Sequence, residues 1–105
     1  MSTRDFSSKQ EQYVANFLDG TVVRNSGATT LHKGDVVTDK VLVECKTSTK
    51  PKKQFTIKKE WLDKNRAESM VMGKELSALI FDFGVIGDEY VVITLNDFKN
   101  LLGGD

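Results

Sequence analysis

Apolar residues near the start of the chain recur with the 3.6-residue period of an amphipathic helix. They are Tyr13, Val14, Phe17 and Leu18. Ser8 and Glu11 have the spacing of a capping box, in which each side chain accepts a hydrogen bond from the other residue's backbone N–H. The pattern predicts a first helix that opens at residues 7–8 and stops near Gly20.

Runs of β-branched and apolar residues predict strands in the rest of the chain. They cover residues 21–24, 35–38, 41–46, 76–83 and 89–94. A polar segment without a clear period, residues 25–34, predicts a loop between the first two strands. A lysine-rich loop, residues 47–54, follows the third strand.

Helical spacing returns after the lysine-rich loop and again near the end of the chain. Thr56 is expected to cap a second helix that ends at Gly73, and Asn96 is expected to cap a short third helix. The inward residues of the second helix are expected to be Ile57, Trp61, Leu62 and Met70. The order α-β-β-β-α-β-β-α predicts an α/β domain in which helices flank both faces of a mixed central β-sheet.

Length and composition fit a single domain over residues 1–105. With 39% hydrophobic and 29% charged residues, the composition is that of a folded soluble domain. The apolar runs are too short to span a bilayer, and residues 1–5 lack the apolar core of a secretory signal. The single cysteine, Cys45, cannot form an intramolecular disulfide, so a reducing compartment, the cytoplasm, is expected.

Charge is distributed unevenly along a chain whose formal net charge is zero. Residues 40–66 hold nine basic and three acidic residues, a net charge of +6, so the remainder carries −6. Such a segment favours an anionic partner at one surface. A solvated loop and helix face is the alternative.

Asp35, Glu44 and Lys46 carry the clearest candidate chemistry. Side chains alternate along a strand, so Glu44 and Lys46 are expected on one face and Cys45 on the other. A turn at residues 39–40 would bring Asp35 beside Glu44, and the two carboxylates, with the backbone carbonyl of Cys45, would form a Mg²⁺ site. Lys46 would then orient or deprotonate a water molecule, or neutralise a phosphate. A surface hairpin with a Glu–Lys pair is the alternative.

A resemblance to a known family is carried by Gly34-Asp35 and, after eight residues, Glu44-Cys45-Lys46. This pattern resembles the bipartite signature of the PD-(D/E)-x-K nuclease superfamily, with glycine in place of its proline. Within the superfamily the chain resembles the small archaeal and phage-type Holliday-junction resolvases. The likeness covers residues 7–48 and includes a helical glutamate, a strand ending in arginine, and a Ser/Gly loop. Here these are Glu11, Val22-Val23-Arg24 and Ser26-Gly27.

The resemblance implies a restriction-endonuclease-like fold and a metal-dependent endonuclease active in DNA recombination and repair. Such an enzyme nicks opposing strands of branched DNA, the four-way junction, as a homodimer. Asp35 and Glu44 would be metal ligands, Glu11 would complete the catalytic metal site, and Lys46 would be the catalytic lysine. The cofactor would be Mg²⁺, replaceable by Mn²⁺, with no organic cofactor and no membrane partner. A phage origin would place the protein in the host-cell cytoplasm.

DNA contacts are expected from two groups of residues. By the resemblance, Arg24 and Ser26 would contact phosphate near the scissile bond, with Thr29 and Thr30 as rivals of Ser26. Lysines in the loop and at the start of the second helix would contact phosphate elsewhere. These are Lys50, Lys52, Lys53, Lys58 and Lys59.

The remaining conspicuous residues have simpler structural interpretations. His32 is expected at the surface, since no second nitrogen ligand exists for a zinc site. Cys45 is expected to be a small buried hydrophobe. Phe55 and Trp61 are expected to pack in the core rather than stack on bases. An exposed part of one apolar group would suit a dimer interface, and this group is Phe81, Phe83, Val85 and Ile86.

Three other functions remain open at this stage. One is a nuclease of the same fold that acts on flaps or duplex ends. Another is a catalytically silent DNA-binding module, although DNA binding alone does not require two acids and a lysine together. The third is a small scaffold protein in which the basic segment is incidental.

Overall fold

A computed structural model of the chain describes the backbone of residues 3–23 and 35–103 and the side chains of residues 8–23 and 36–103. These residues form three helices and a sheet of five strands, which confirms the predicted α/β class. Within them, no helix is long and apolar enough to cross a bilayer. The elements are α1 (Thr3–Leu18), β1 (Thr21–Val23), β2 (Asp35–Val37), β3 (Val41–Lys46), α2 (Lys59–Val71), β4 (Leu76–Phe81), β5 (Tyr90–Val92) and α3 (Leu95–Leu101).

The sheet is mixed, as predicted, with the spatial order β1-β2-β3-β4-β5. β3 and β4 are parallel, and the other neighbouring strands are antiparallel. A parallel pair needs a crossover connection, which α2 provides. β4 and β5 are shorter than the predicted strands, because residues 82–89 lie in the turn between them and Thr94, predicted to end the last strand, instead caps α3.

Alternation along β3 divides its side chains between two helices. Val43 and Cys45 belong to the core cluster that contains Val14 of α1. Lys46 lies on the other face of the strand, where Trp61 of α2 contacts it. α1 and α2 therefore cover opposite faces of the sheet.

The first helix begins earlier than its capping signal predicts. α1 starts at Thr3, so Ser8 lies in its second turn rather than at its N-cap. Inside a helix the backbone N–H groups bond carbonyls of the preceding turn, which leaves no orphan donors for a capping box to satisfy. The capping box predicted for Ser8 and Glu11 is therefore wrong, and α1 ends two residues before Gly20.

The caps of the other two helices also differ from those predicted. α2 begins one residue after Lys58, which has an extended backbone and makes no side-chain cap bond, so Thr56 is not the cap. At α3 the hydroxyl of Thr94 accepts a hydrogen bond from the backbone N–H of Asp97 at 3.0 Å. Thr94 rather than Asn96 is the N-cap, because it is the last extended residue before the helix.

The inward face of α2 is partly polar. Its buried side chains are Asn65 and Ser69, one helical turn apart. The Asn65 amide donates hydrogen bonds to the carbonyls of Leu42 and Ala78, both at 3.1 Å, and so joins α2 to β3 and β4. Met70 is one position beyond this stripe and is 71% exposed, so the prediction that it faces inward is wrong.

Gly73 ends α2 as predicted. Its φ angle of +72° lies in the left-handed region that favours glycine. Its N–H bonds the carbonyl of Met70 at 3.1 Å, and that of Lys74 bonds the carbonyl of Ser69 at 2.8 Å. This pair of bonds is the Schellman arrangement, which satisfies carbonyls that the helix end leaves open.

Candidate active site and basic groove

Asp35 and Glu44 are directly opposite each other in the antiparallel register of β2 and β3. The turn between the strands fixes this register. The Thr38 N–H bonds the carbonyl of Val41 at 2.9 Å, and the Thr38 hydroxyl accepts bonds from the N–H groups of Lys40 and Val41. The predicted approach of residue 35 to residue 44 is therefore present in the backbone. The Asp35 side chain lies outside the described residues.

Glu44 and Lys46 form an ion pair on the α2 face of the sheet. The Lys46 ammonium is 3.2 Å from the Glu44 carboxylate, and the side chains are 31% and 16% exposed, respectively. The same ammonium is 4.3 Å from the centroid of the Trp61 ring, within the range of a cation–π contact. Two partners therefore hold Lys46 in one place, although part of its side chain remains open to solvent.

Trp61 is a site residue that the sequence reasoning assigned to the core. It is half-buried and contacts two lysines, since the Lys58 ammonium also lies 5.7 Å from its ring centroid. Its helical spacing predicts that it faces the sheet, and it does. The spacing carries no information on which strand residue lies beneath it, and here that residue is the charged Lys46.

Cys45 and Glu11 are the other two residues predicted to contribute to the metal site. Cys45 is buried in the α1 core cluster, as predicted, so its thiol is on the face opposite Glu44 and Lys46. Any metal contact from Cys45 would therefore come from its backbone oxygen. Glu11 is half-buried on α1, next to Gln10, whose amide bonds the carbonyl of Lys46 at the end of β3.

An open groove of about 800 Å³ adjoins the Glu44–Lys46 pair; we call it the basic groove. Residues 47–49 and 52–56 of the loop after β3 form most of its lining, and Trp61 completes it. The lining combines hydroxyl groups, the lysines at 52 and 53, and the aromatic rings of Phe55 and Trp61. Lys46 does not line the groove itself, but two of its neighbours do: Thr47, the next residue, and Trp61, which contacts its ammonium.

The five lysines predicted to contact DNA do not share one surface. Lys52 and Lys53 line the basic groove, and Lys58 lies over the ring of Trp61. Lys50 is exposed in the same loop. Lys59 instead pairs with Asp63 at 2.9 Å and lines a separate pocket between α2 and β5. The structure thus brings four of the lysines to the groove or its loop and directs Lys59 elsewhere.

Asp82 anchors the start of the loop that forms the basic groove. It is fully buried, at 0% exposure. One carboxylate oxygen accepts bonds from the Thr47 hydroxyl at 2.7 Å and the Gly84 N–H at 2.8 Å. The other accepts a bond from the Gln10 amide of α1 at 3.1 Å. A buried carboxylate requires such partners, and these three fix the loop relative to α1 and β4.

The same loop passes against Gly84 at very short range. A Cβ atom at Gly84 would lie 2.3 Å from the carbonyl oxygen of Lys50 and 2.7 Å from the Cα of Pro51. The Lys52 N–H also bonds the carbonyl of Phe83 at 2.7 Å. Glycine is therefore required at position 84 by the close approach of two backbones.

Glu89 shares the buried end of the sheet with Asp82. Partial burial and the hydrogen bond to Asp82 raise the pKa of the Glu89 carboxyl from 4.5 to about 7, with smaller contributions from the charges of Asp82 and Asp88. Two ionised carboxylates cannot donate to each other, so the bond forms when Glu89 is protonated. The other Glu89 oxygen accepts the Gly87 N–H at 2.8 Å and opposes the rise of the pKa.

The described side chains do not test the predicted metal site as a whole. Among the described side chains, no three His, Cys, Asp or Glu residues form a group that could hold a metal ion. The Asp35 side chain is not among those described. Arg24 and Ser26, the predicted phosphate contacts, lie outside the described residues. The same is true of Thr29, Thr30 and His32.

The two phenylalanines of the predicted dimer surface pack within the chain in an aromatic cluster. Phe81 and Phe83 pack against each other at 5.3 Å between centroids, and both contact Tyr90. Phe55 of the basic groove joins this aromatic cluster through Phe81 at 5.0 Å. Val85 is exposed. Another exposed apolar surface lies on α3, where no residue is buried; Leu95 at its start is 84% exposed, and Leu102, directly after its end, is 71% exposed.

Comparisons of the chain with protein-family models, with curated proteins and with solved structures give no match.

Proposed function

We propose that the protein is a metal-dependent DNA endonuclease with a restriction-endonuclease-like fold that nicks branched DNA, as Holliday-junction resolvases do. The observation that carries the proposal is the pairing of Asp35 with Glu44 across β2 and β3, with Lys46 two residues further on the same face as Glu44. Asp35, Glu44 and Lys46 have the order of the family signature and belong to one hairpin.

The donor set fits Mg²⁺. Carboxylate oxygens are hard ligands, and Mg²⁺ typically uses one or two of them with water completing its shell. Positions directly opposite in an antiparallel pair have Cβ atoms about 5 Å apart, which suits a shared ion. Asp35 and Glu44 would hold the ion, with Glu11 and the Cys45 carbonyl as further oxygen donors. The ion would supply Lewis-acid stabilisation of charge on the scissile phosphate.

Lys46 is the residue of this chain that would act on the phosphate directly. Its ammonium is held by Glu44 and Trp61, so it is oriented before DNA binds. A preorganised positive charge stabilises negative charge that develops in a transition state without further rearrangement. The Lys46 side chain is 31% exposed, which leaves it accessible to a phosphate.

The basic groove would guide DNA to this site. Lys52 and Lys53 line it, and Lys50 and Lys58 lie close by. Lysine ammonium groups contact phosphates and position the nucleic acid without reading its sequence. The N-terminus of α2, which follows Lys58, would offer backbone N–H groups to phosphate as well.

A homodimer, as the resemblance implies, would place two such sites on opposing strands. α3 offers the surface for it, since all seven of its residues lie at least partly exposed and include Leu95, Phe98 and Leu101. A contiguous apolar patch that a monomer leaves uncovered is typical of an interface, and a two-fold dimer would pair this patch with itself. Leu102, which follows α3, extends it.

Cleavage of a labelled DNA panel tests the proposal. The panel contains a four-way junction, a flap and a linear duplex, each incubated with Mg²⁺ and with EDTA. The proposal predicts paired symmetric nicks in the junction that require Mg²⁺. Cutting of flaps or ends instead would retain the nuclease chemistry and overturn the junction as substrate. Junction binding without any cleavage would identify a DNA-binding module and overturn the enzyme.

A further inference from the structure

The basic groove has a feature that phosphate binding alone does not require. Besides Lys52 and Lys53 it presents two aromatic rings, Phe55 and Trp61. Surfaces that contact only the outside of a duplex bind phosphate and sugar with charged and polar groups. Grooves that bind single strands combine positive charge with aromatic rings on which bases stack.

Both rings already make contacts within the chain that restrict their movement. Phe55 packs on Phe81 with 5.0 Å between ring centroids, and Phe81 packs in turn on Phe83 and Tyr90. Trp61 lies against the Lys46 ammonium at 4.3 Å. Rings that are already fixed lose little conformational freedom when a base stacks on them.

The loop that carries Phe55 is fixed as well. Asp82 holds Thr47 at its start, and the Ser48 hydroxyl bonds the carbonyl of Lys50 at 2.8 Å. The Lys52 N–H bonds Phe83.

We infer that the basic groove binds an unpaired nucleotide beside the scissile phosphate, with its base against Phe55 and Trp61 and its phosphate near Lys52 and Lys53. The inference rests on the proposed nuclease function and narrows its substrate to DNA with an unpaired or readily opened nucleotide at the branch point. Since Trp61 contacts Lys46, a nucleotide in the groove is adjacent to the candidate active site.

Trp61 is the only tryptophan of the chain and reports on the groove directly. Its fluorescence is recorded in EDTA, so that cleavage cannot occur, during titration with a single-stranded oligodeoxynucleotide or with a duplex of equal length. Quenching by the single strand at a concentration at least about five-fold lower than by the duplex is expected, given the energy of base–aromatic stacking. Equal quenching by both, or none by either, overturns the inference.

Three variants locate the contact by anisotropy of labelled single-stranded DNA. Phe55→Leu keeps an apolar contact with Phe81 but removes the ring, and is expected to weaken binding by about five-fold or more. Lys52→Ala is expected to weaken binding and to reduce its salt dependence. Lys59→Ala is the matched control, because Lys59 pairs with Asp63 away from the groove, and it is expected to bind normally. Weakening by Lys59→Ala equal to that by Lys52→Ala overturns the location.

A pair of substitutions at Trp61 tests stacking even if Phe55→Leu fails to fold. Trp61→Phe retains a ring in the groove and is expected to bind single-stranded DNA more tightly than Trp61→Leu, while equal affinities contradict stacking. The experiments also separate this inference from the proposed function. Preferential single-strand binding without Mg²⁺-dependent cleavage would remove the enzyme and leave the groove assignment. Cleavage of a fully paired junction without a change in Trp61 fluorescence would support the enzyme and overturn the groove assignment.

Discussion

The loop that lines the basic groove and the helix α3 differ in whether their side chains have partners within the described chain. The loop is polar, yet buried partners hold it, with Asp82 bonding Thr47, Gly84 and Gln10. α3 carries three large apolar side chains, Leu95, Phe98 and Leu101, yet none of its residues is buried. They leave the sheet at opposite ends, because β5 runs antiparallel to β3 and β4, and the loop follows β3 whereas α3 follows β5.

This difference separates a surface whose polar groups are bonded within the chain from a surface whose apolar groups are uncovered. Fully bonded polar groups in a buried setting specify one geometry, which a catalytic or binding surface needs. Uncovered apolar side chains contribute to stability only when another surface removes them from water. We therefore expect changes at the loop to affect stability and DNA handling, and changes at α3 to affect association.

The largest effect is expected at Lys46. Lys46→Met removes the ammonium but keeps an apolar side chain of similar length against Trp61, and Mg²⁺-dependent cleavage is expected to fall by about 100- to 1,000-fold. Single-turnover cleavage of the preferred DNA measures it. Lys40→Met, an exposed lysine in the preceding turn, is the control and is expected to cleave normally. Retained activity in Lys46→Met would contradict a catalytic role.

The next largest effect is expected at Asp82. Asp82→Ala leaves the Gly84 N–H, the Thr47 hydroxyl and the Gln10 amide without their buried acceptor, at a loss of roughly 3 kcal/mol or more of unfolding free energy. Urea denaturation followed by circular dichroism measures this loss. Asp63→Ala removes an exposed, helix-surface acid and is expected to change the free energy by less than about 1 kcal/mol. Similar losses in both variants would refute the anchoring role of Asp82.

A smaller, pH-dependent effect is expected at Glu89. Its pKa of about 7 in the folded chain lies above the ordinary value of 4.5, so folding favours the protonated carboxyl. This contribution to stability is complete below about pH 4.5 and is lost as the pH rises through about 7. Glu89→Gln keeps a donor toward Asp82 without titrating.

Urea midpoints at pH 5 and pH 8 test the Glu89 prediction. The variant is expected to lose less stability than the wild type over this interval. Glu75→Gln, at an exposed position before β4, serves as the control and should follow the wild type. A wild-type decline that Glu89→Gln leaves unchanged would place the titrating group elsewhere.

The smallest effect on stability is expected at α3, with a clear effect on association. The double variant Leu95→Lys with Leu102→Lys changes two exposed residues and is expected to alter the unfolding free energy by less than about 1 kcal/mol. Sedimentation equilibrium is expected to show a dimer for the wild type and a monomer for the variant. Val71→Lys, 89% exposed on α2, is expected to remain a dimer. A monomeric wild type would contradict the proposed interface.

The hairpin could be predicted from sequence because its information is local. Alternation places Glu44 and Lys46 on one face, and the polar turn at residues 39–40 fixes which residue of β2 meets Glu44. Both follow from residues within one short segment. The predicted start of the first helix was wrong because local information can also mislead. The Ser8–Glu11 spacing is equally compatible with the interior of a longer helix.

The anchoring of the groove could not be predicted, because its partners are remote in sequence. Gln10 and Asp82 are 72 residues apart, and Thr47 and Asp82 are 35 apart. Trp61 is also ambiguous by spacing, because an inward position on α2 meets the apolar part of β3 or the charged Lys46 depending on how far along the strand the helix lies. Only tertiary packing decides such a position.

Mg²⁺-dependent cleavage of a four-way junction by Asp35→Asn, compared with Asp39→Asn, tests the central claim most directly. Both substitutions remove one negative charge from the same hairpin, and only Asp35 is paired with Glu44 in the register. The account predicts that Asp35→Asn abolishes cleavage while retaining junction binding, and that Asp39→Asn cleaves like the wild type. Equal cleavage by the two variants would contradict a metal site at Asp35 and Glu44.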